Sequence, residues 1–159
     1  MYALAAVLAF ASIAAVYTTL QGPSAVPALQ PSRNAQVLAE DLAIYRQAAL
    51  DYARTHPGTH GAVPNALLPF PTWYPGANPA WRNYVADGTV VAYAAAMPPV
   101  NIAGEIATLA DGSLLAGVAY RNAVVRPGHA NPNAPADGVP LPAGLTIADG
   151  APVWMGQAY

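Results

Sequence analysis

Between Asn34 and His56 the apolar side chains Leu38, Leu42, Tyr45, Ala49 and Tyr52 recur at alternating steps of four and three residues. That period is one face of an α-helix. Arg33, Gln36, Glu40, Gln47 and Arg54 fall largely off that face. Ser32 or Asn34 is the predicted N-cap, and His56-Pro57-Gly58 the stop. Before this helix the pattern is continuous rather than periodic. Ala3 to Leu20 is broken only by Ser12, Thr18, Thr19 and the phenol of Tyr17, and residues 1–32 carry no charge. As a helix, those 18 residues would reach about 27 Å, barely the thickness of a hydrocarbon core.

Three readings of that stretch compete. A cleaved signal peptide calls for a basic n-region, and none is present, although Ala25 offers a small residue for cleavage. A buried core helix is the plain alternative for a short apolar run. An uncleaved anchor over residues 1–20 is the reading taken forward. Its Ala5/Ala9 and Ala11/Ala15 spacings permit close helix packing in a membrane, and Tyr2 and Tyr17 are placed for its two interfaces. Residues 21–31 hold Pro23, Pro27 and Pro31 at every fourth position. They read as a semi-rigid linker separating two helices. Residues 32–159 are then the globular domain.

After His56 the texture changes, with 14 of the 17 prolines and 12 of the 13 glycines lying from Pro57 onward, which excludes long helices there. Asn65–Pro79 reads as a folded loop with aromatics set between prolines. Arg82–Ala86 and Thr89–Ala96 flank Asp87-Gly88, a strong hairpin signal. Asn101 caps a short helix bearing Ile102, Ile106 and Leu109, and Asp111-Gly112 stops it. Leu114–Val125 reads as one central strand bent at Gly117. Arg126–Pro142 reads as an exposed loop. Leu145–Ile147 and Pro152–Met155 flank Asp149-Gly150 as a second hairpin. The expected fold is α+β: an N-terminal apolar helix, then a long amphipathic helix packed on a small antiparallel β-sheet of about three to five strands.

Composition removes several classes of chemistry. Only 9% of residues are charged, against about 25% in ordinary soluble proteins. There is no lysine, and the net charge is -2, so no basic footprint for nucleic acid exists. Zero cysteines exclude disulfides, thiolate metal sites and thiol nucleophiles. Four of the eight acids, Asp87, Asp111, Asp137 and Asp149, precede glycine, where turn chemistry accounts for them. No carboxylate pair, nucleophile elbow or phosphate loop stands out. His56 and His60 are separated by Pro57-Gly58, so helical i, i+4 ligation is excluded. A metal site would need a turn to converge them with His129. That set carries the alternative reading, a small secreted or periplasmic metal-binding or hydrolase-like domain. Phe70, Trp73, Tyr74 and Trp81 either pack their loop onto the domain or form a binding platform.

Tyr45-Arg46-Gln47-Ala48, Tyr52, His56-Pro57-Gly58, Gly61, Leu68-Pro69, Trp73-Tyr74, Leu141-Pro142-Ala143-Gly144 and Val153 together carry a resemblance. The chain resembles the PilM family of type IVb pilus biogenesis proteins, the small proteins encoded with conjugative thin pili, and the likeness covers nearly the whole chain. The resemblance implies a non-enzymatic accessory role in pilus assembly. It implies that this role is played at the bacterial inner membrane, where residues 1–20 are the expected anchor and the C-terminal domain is expected in the periplasm. No cofactor and no catalytic residue is implied. The implied partners are other pilus-assembly proteins, with Ala5, Ala9, Ala11, Ala15, Trp73 and Tyr74 as the expected contact residues. The architecture is also similar to type IV pilins, but no basic leader, Gly-Phe processing site or early acidic residue accompanies the apolar run. Prepilin peptidase processing is therefore not expected.

Overall fold

The computed structural model describes residues 25–130 and 137–159, so the apolar stretch with Ala5, Ala9, Ala11 and Ala15 lies outside them. Helix α1 covers Ala25–Thr55. It starts earlier than the expected caps at Ser32 or Asn34, and the expected linker over 21–31 is helical from Ala25 onward. Pro27 falls in the first turn, where backbone N–H groups have no intrahelical partner and a proline costs no hydrogen bond. Pro31 removes one donor, and the helix continues through it.

From Ala35 to Tyr159 the chain forms one compact unit. The predicted face of α1 is the buried one. Leu42, Tyr45 and Ala49 are fully buried, and Leu38 and Tyr52 are partly buried against the same core. Arg33, Gln36, Glu40, Gln47 and Arg54 are exposed. The buried face is wider than the five positions, since Ala35, Ala39, Ala48, Leu50 and Ala53 join it.

Among the described residues six antiparallel strands, one more than the upper expectation, make a single sheet: β1 Trp81–Ala86, β2 Thr89–Ala94, β3 Ala116–Tyr120, β4 Ala123–Val125, β5 Val139–Pro140 and β6 Pro152–Gln157. Their order is β1-β2-β6-β3-β4-β5. The β1–β2 hairpin closes at Asp87-Gly88, both with positive φ (48° and 75°), as a two-residue turn of the primed type requires. The sequence predicts no turn at the next reversal. Arg121 and Asn122, with φ of 46° and 63°, fold the expected single strand Leu114–Val125 back on itself as β3 and β4. The carboxylate of Asp149 accepts the Arg121 backbone N–H at 2.8 Å and helps fix that turn.

Leu145–Ile147 corrects another expectation. The segment is no strand, and β6 pairs instead with β2 and β3 in the middle of the sheet. Residues 141–151 lie across the sheet face remote from α1, where Leu141, Leu145, Ile147 and Ala151 pack with Val91, Ala119, Val124, Val153 and Met155. Both faces are thus buried, as the near-continuous apolar runs of β2 and β6 demand. The expected exposed loop Arg126–Pro142 contributes β5, which pairs with β4. Pro140 leaves that edge short of a donor, a usual way of blunting an edge strand.

Helix α2, Ala103–Leu109, packs on β3 with Ile106 fully buried, as is Ile102 just before it, while Leu109 is 45% exposed. The Asn101 side chain accepts the Ala103 N–H at 2.9 Å. Gly112 N–H reaches the Ala107 carbonyl and Asp111 N–H the Thr108 carbonyl, with Asp111 at φ 50°. That pair of bonds is the Schellman ending, with aspartate in the left-handed position.

Candidate functional site

The aromatic loop after α1 is fastened to the helix by one carboxylate. Asp41 lies three residues beyond Leu38 and four before Tyr45, beside the apolar stripe. Its Oδ2 accepts Trp81 Nε1–H at 2.7 Å and Asn78 Nδ2–H at 2.8 Å, and its Oδ1 accepts the Tyr74 hydroxyl. Burial, and then the bond to Asp41, push the Tyr74 phenol well above its ordinary range, so it keeps its proton and donates it to Asp41 at neutral pH.

A second polar knot lies deeper. Asn83 is 2% exposed on β1. Its Oδ1 accepts Val63 N–H at 2.8 Å, and its Nδ2 donates to the Val63 carbonyl and to the Tyr45 hydroxyl, both at 2.9 Å. Tyr45 in turn donates to Asn65 Oδ1 at 2.7 Å, and burial raises its pKa. Gly61 exchanges both backbone bonds with Val85, at 2.8 and 2.9 Å. The Asn83 amide continues that pairing two residues further. Together they cover the free edge of β1, which would otherwise offer unpaired backbone groups to another strand.

Between the knots runs a chain of rings: Tyr45 to Phe70 at 5.9 Å, Phe70 to Tyr74 at 5.1 Å, and Tyr74 to Trp73 edge-on at 6.2 Å. The structure therefore separates the two expected contact residues. Tyr74 is committed to Asp41, whereas Trp73 is 70% exposed at the end of the chain. Trp81 is fully buried and Trp154 nearly so. Trp73 is thus an exposed indole on a loop that Tyr74 and Asn78 tie to Asp41 by two hydrogen bonds, with Trp81 of β1 bonding the same carboxylate.

The histidines serve local purposes. His56 stacks on Tyr52 at 4.1 Å, with Nδ1 3.0 Å from the Tyr52 carbonyl. His60 Nε2 stands 3.6 Å from Asp87 Oδ1, and both side chains are largely exposed, so the pair is weak. They help line an open cavity of about 450 Å³ with Tyr84, Leu115, Val139 and Met155. His129 is exposed and lines a separate hollow with Arg126 and Asp137. Among the described residues no group of three or more His, Cys, Asp or Glu is placed to hold a metal ion. Among them, too, no helix is long and apolar enough to cross a membrane.

Replacing Asp41 by alanine is expected to cost about 2–3 kcal/mol, because it leaves the buried Trp81 N–H without an acceptor and frees Tyr74. Asp41→Asn keeps one acceptor oxygen and should cost less. Thermal unfolding of the two variants checks the order; equal midpoints for wild type and Asp41→Ala would show that the carboxylate carries no load.

Asp41 and Asn83 were not singled out by sequence. The available signal was position: Asp41 borders an apolar stripe, and Asn83 holds an inward position between Trp81 and Val85. A family model described as PilM matches residues 8–155. No curated protein and no solved structure matches. The family match spans most of the sequence and supports a role in type IV pilus biogenesis: the chain belongs to the PilM family.

Proposed function

We propose that this protein is a non-enzymatic accessory component of type IV pilus assembly, held in the inner membrane by residues 1–20 with its α+β domain in the periplasm. The observation that carries the reading is the PilM match over residues 8–155, which takes in much of the apolar stretch as well as the domain. In this reading Ala5/Ala9 and Ala11/Ala15 pack the anchor against another membrane helix. Trp73 is the contact residue of the periplasmic domain, and Tyr74 acts as its support. The polar groups described above fit that role, since their bonds are spent on holding the fold.

Deletion of the gene tests the proposal. Pili should be lost or sharply reduced on the cell surface while the amount of pilin made is unchanged, and a plasmid copy should restore them. Normal piliation in the deletion strain would overturn it.

A further inference from the structure

On α1, Arg46 occupies a position unlike that of any other described arginine. Its Nε–H donates to the Met155 carbonyl at 2.9 Å, and its guanidinium carbon stands 5.0 Å from the centre of the Trp154 ring. Gly156 makes room for it: a Cβ there would lie 2.4 Å from Nη2. A backbone bond, an aromatic face and a glycine notch thus hold one half-buried cation in one orientation. Burial, followed by the charge of Arg54, lowers its pKa.

No described residue uses the rest of the guanidinium. Arg46 has no ion pair, the two pairs among the described residues being Arg54–Asp51 and His60–Asp87. Its Nη nitrogens make no hydrogen bond there either. No buried side-chain nitrogen in the described residues is without a partner, so these Nη groups reach solvent. A partly desolvated cation without a counter-ion is energetically incomplete. A planar fork with its free N–H groups aligned is the geometry that takes a carboxylate through two parallel bonds.

We propose that Arg46 is a receptor for a single carboxylate, an aspartate or glutamate side chain presented by a partner protein. The inference rests on the proposed assembly role for the nature of that partner. A carboxylate fits better than a phosphate because the neighbouring arginine of the helix is not available as a second cation. Arg54, two turns along the helix, is already engaged with Asp51 at 2.8 Å and the Ala158 carbonyl at 3.3 Å. Arg46 also needs little reorganisation to bind, since three contacts have already fixed its side chain.

The test uses the full chain, ¹⁵N-labelled in detergent micelles, with the Trp154 indole N–H and the Gly156 amide as reporters. Titration with acetate should move both signals saturably, whereas chloride at matched ionic strength should not. The response should disappear in Arg46→Gln. An equal response to chloride, or none to acetate, overturns the site. A stronger response to methyl phosphate than to acetate overturns the carboxylate assignment and points to a lipid headgroup. In cells, Arg46→Glu should lose piliation while the purified full chain still unfolds cooperatively, and Arg46→Lys should retain part of it. Normal piliation by Arg46→Glu overturns the partner contact. The titration stands apart from the gene deletion, so a failed assembly role and a failed carboxylate site give different results.

Discussion

Leu42→Asp is expected to abolish cooperative folding of the domain. Leu42 has no exposed surface and lies in the cluster that joins α1 to Trp81, Val90, Ala92 and Trp154. Losing the side chain alone costs about 2–5 kcal/mol, as leucine-to-alanine changes in cores do. Placing a carboxylate among apolar groups adds several more. The sum is on the order of the whole stability of a small domain, about 5–15 kcal/mol. Val37→Asp is the control, because Val37 sits on the same helix but is 59% exposed. It should move the midpoint by about 0.5 kcal/mol or less. Circular dichroism of the purified protein through a thermal ramp distinguishes the two. If Leu42→Asp unfolds at the wild-type temperature, the helix face assigned to the sheet is wrong.

Those two residues also mark what the sequence made legible. The helical period separates Leu42 from Arg33, Gln36, Glu40, Gln47 and Arg54, and the structure buries the one and exposes the others. The Asp87-Gly88 hairpin and the short helix after Asn101 were equally readable, because each rests on residues whose local chemistry admits few conformations, although Ile102 takes the N-cap and Asn101 bonds the Ala103 N–H from just outside it. Where that chemistry was weaker, the reading failed. Arg121-Asn122 has no glycine, yet both residues adopt positive φ, so the reversal between β3 and β4 carried no strong signal. Leu145 and Ile147 alternate as a strand would, and both are buried. Alternation reported their burial correctly but not their hydrogen bonds, since an irregular segment lying on a sheet needs the same inward side chains. The site was less legible still. Asp41 and Asn83 earn their roles through partners 33 to 40 and 20 to 38 residues away. No local spacing announces such contacts. Trp73 and Tyr74 read alike in sequence and differ only because one of them finds Asp41.

Gly117→Ala should be nearly as damaging as Leu42→Asp, through backbone rather than burial. The sequence marks Gly117 as a place where the chain bends, and the structure gives the glycine a more exacting task. Gly117 lies on β3, opposite Val153 of β6, with β4 on its other side. A Cβ there would stand 2.0 Å from the Val125 carbonyl oxygen and 2.9 Å from its carbon. Neither atom is the end of a flexible side chain. Val125 pairs with Val118 in the β3–β4 ladder, so its carbonyl moves only if the ladder moves. Displacing β4 would uncover Val124 and Val125, which are 0% and 1% exposed, and would detach β5, which pairs with β4. The expected cost is about 3–5 kcal/mol, a fall of 10 °C or more in the thermal midpoint at roughly 3–5 °C per kcal/mol. Gly104→Ala provides the opposite sign from the same chemical change. Gly104 sits in α2 with nothing within 4 Å of an added Cβ. Alanine there should stabilise by roughly 0.5–1 kcal/mol, since glycine is the poorer helix former. A wild-type midpoint for Gly117→Ala would mean that β4 does not lie against β3 in this register, and the reversal at Arg121-Asn122 would have to be redrawn with it.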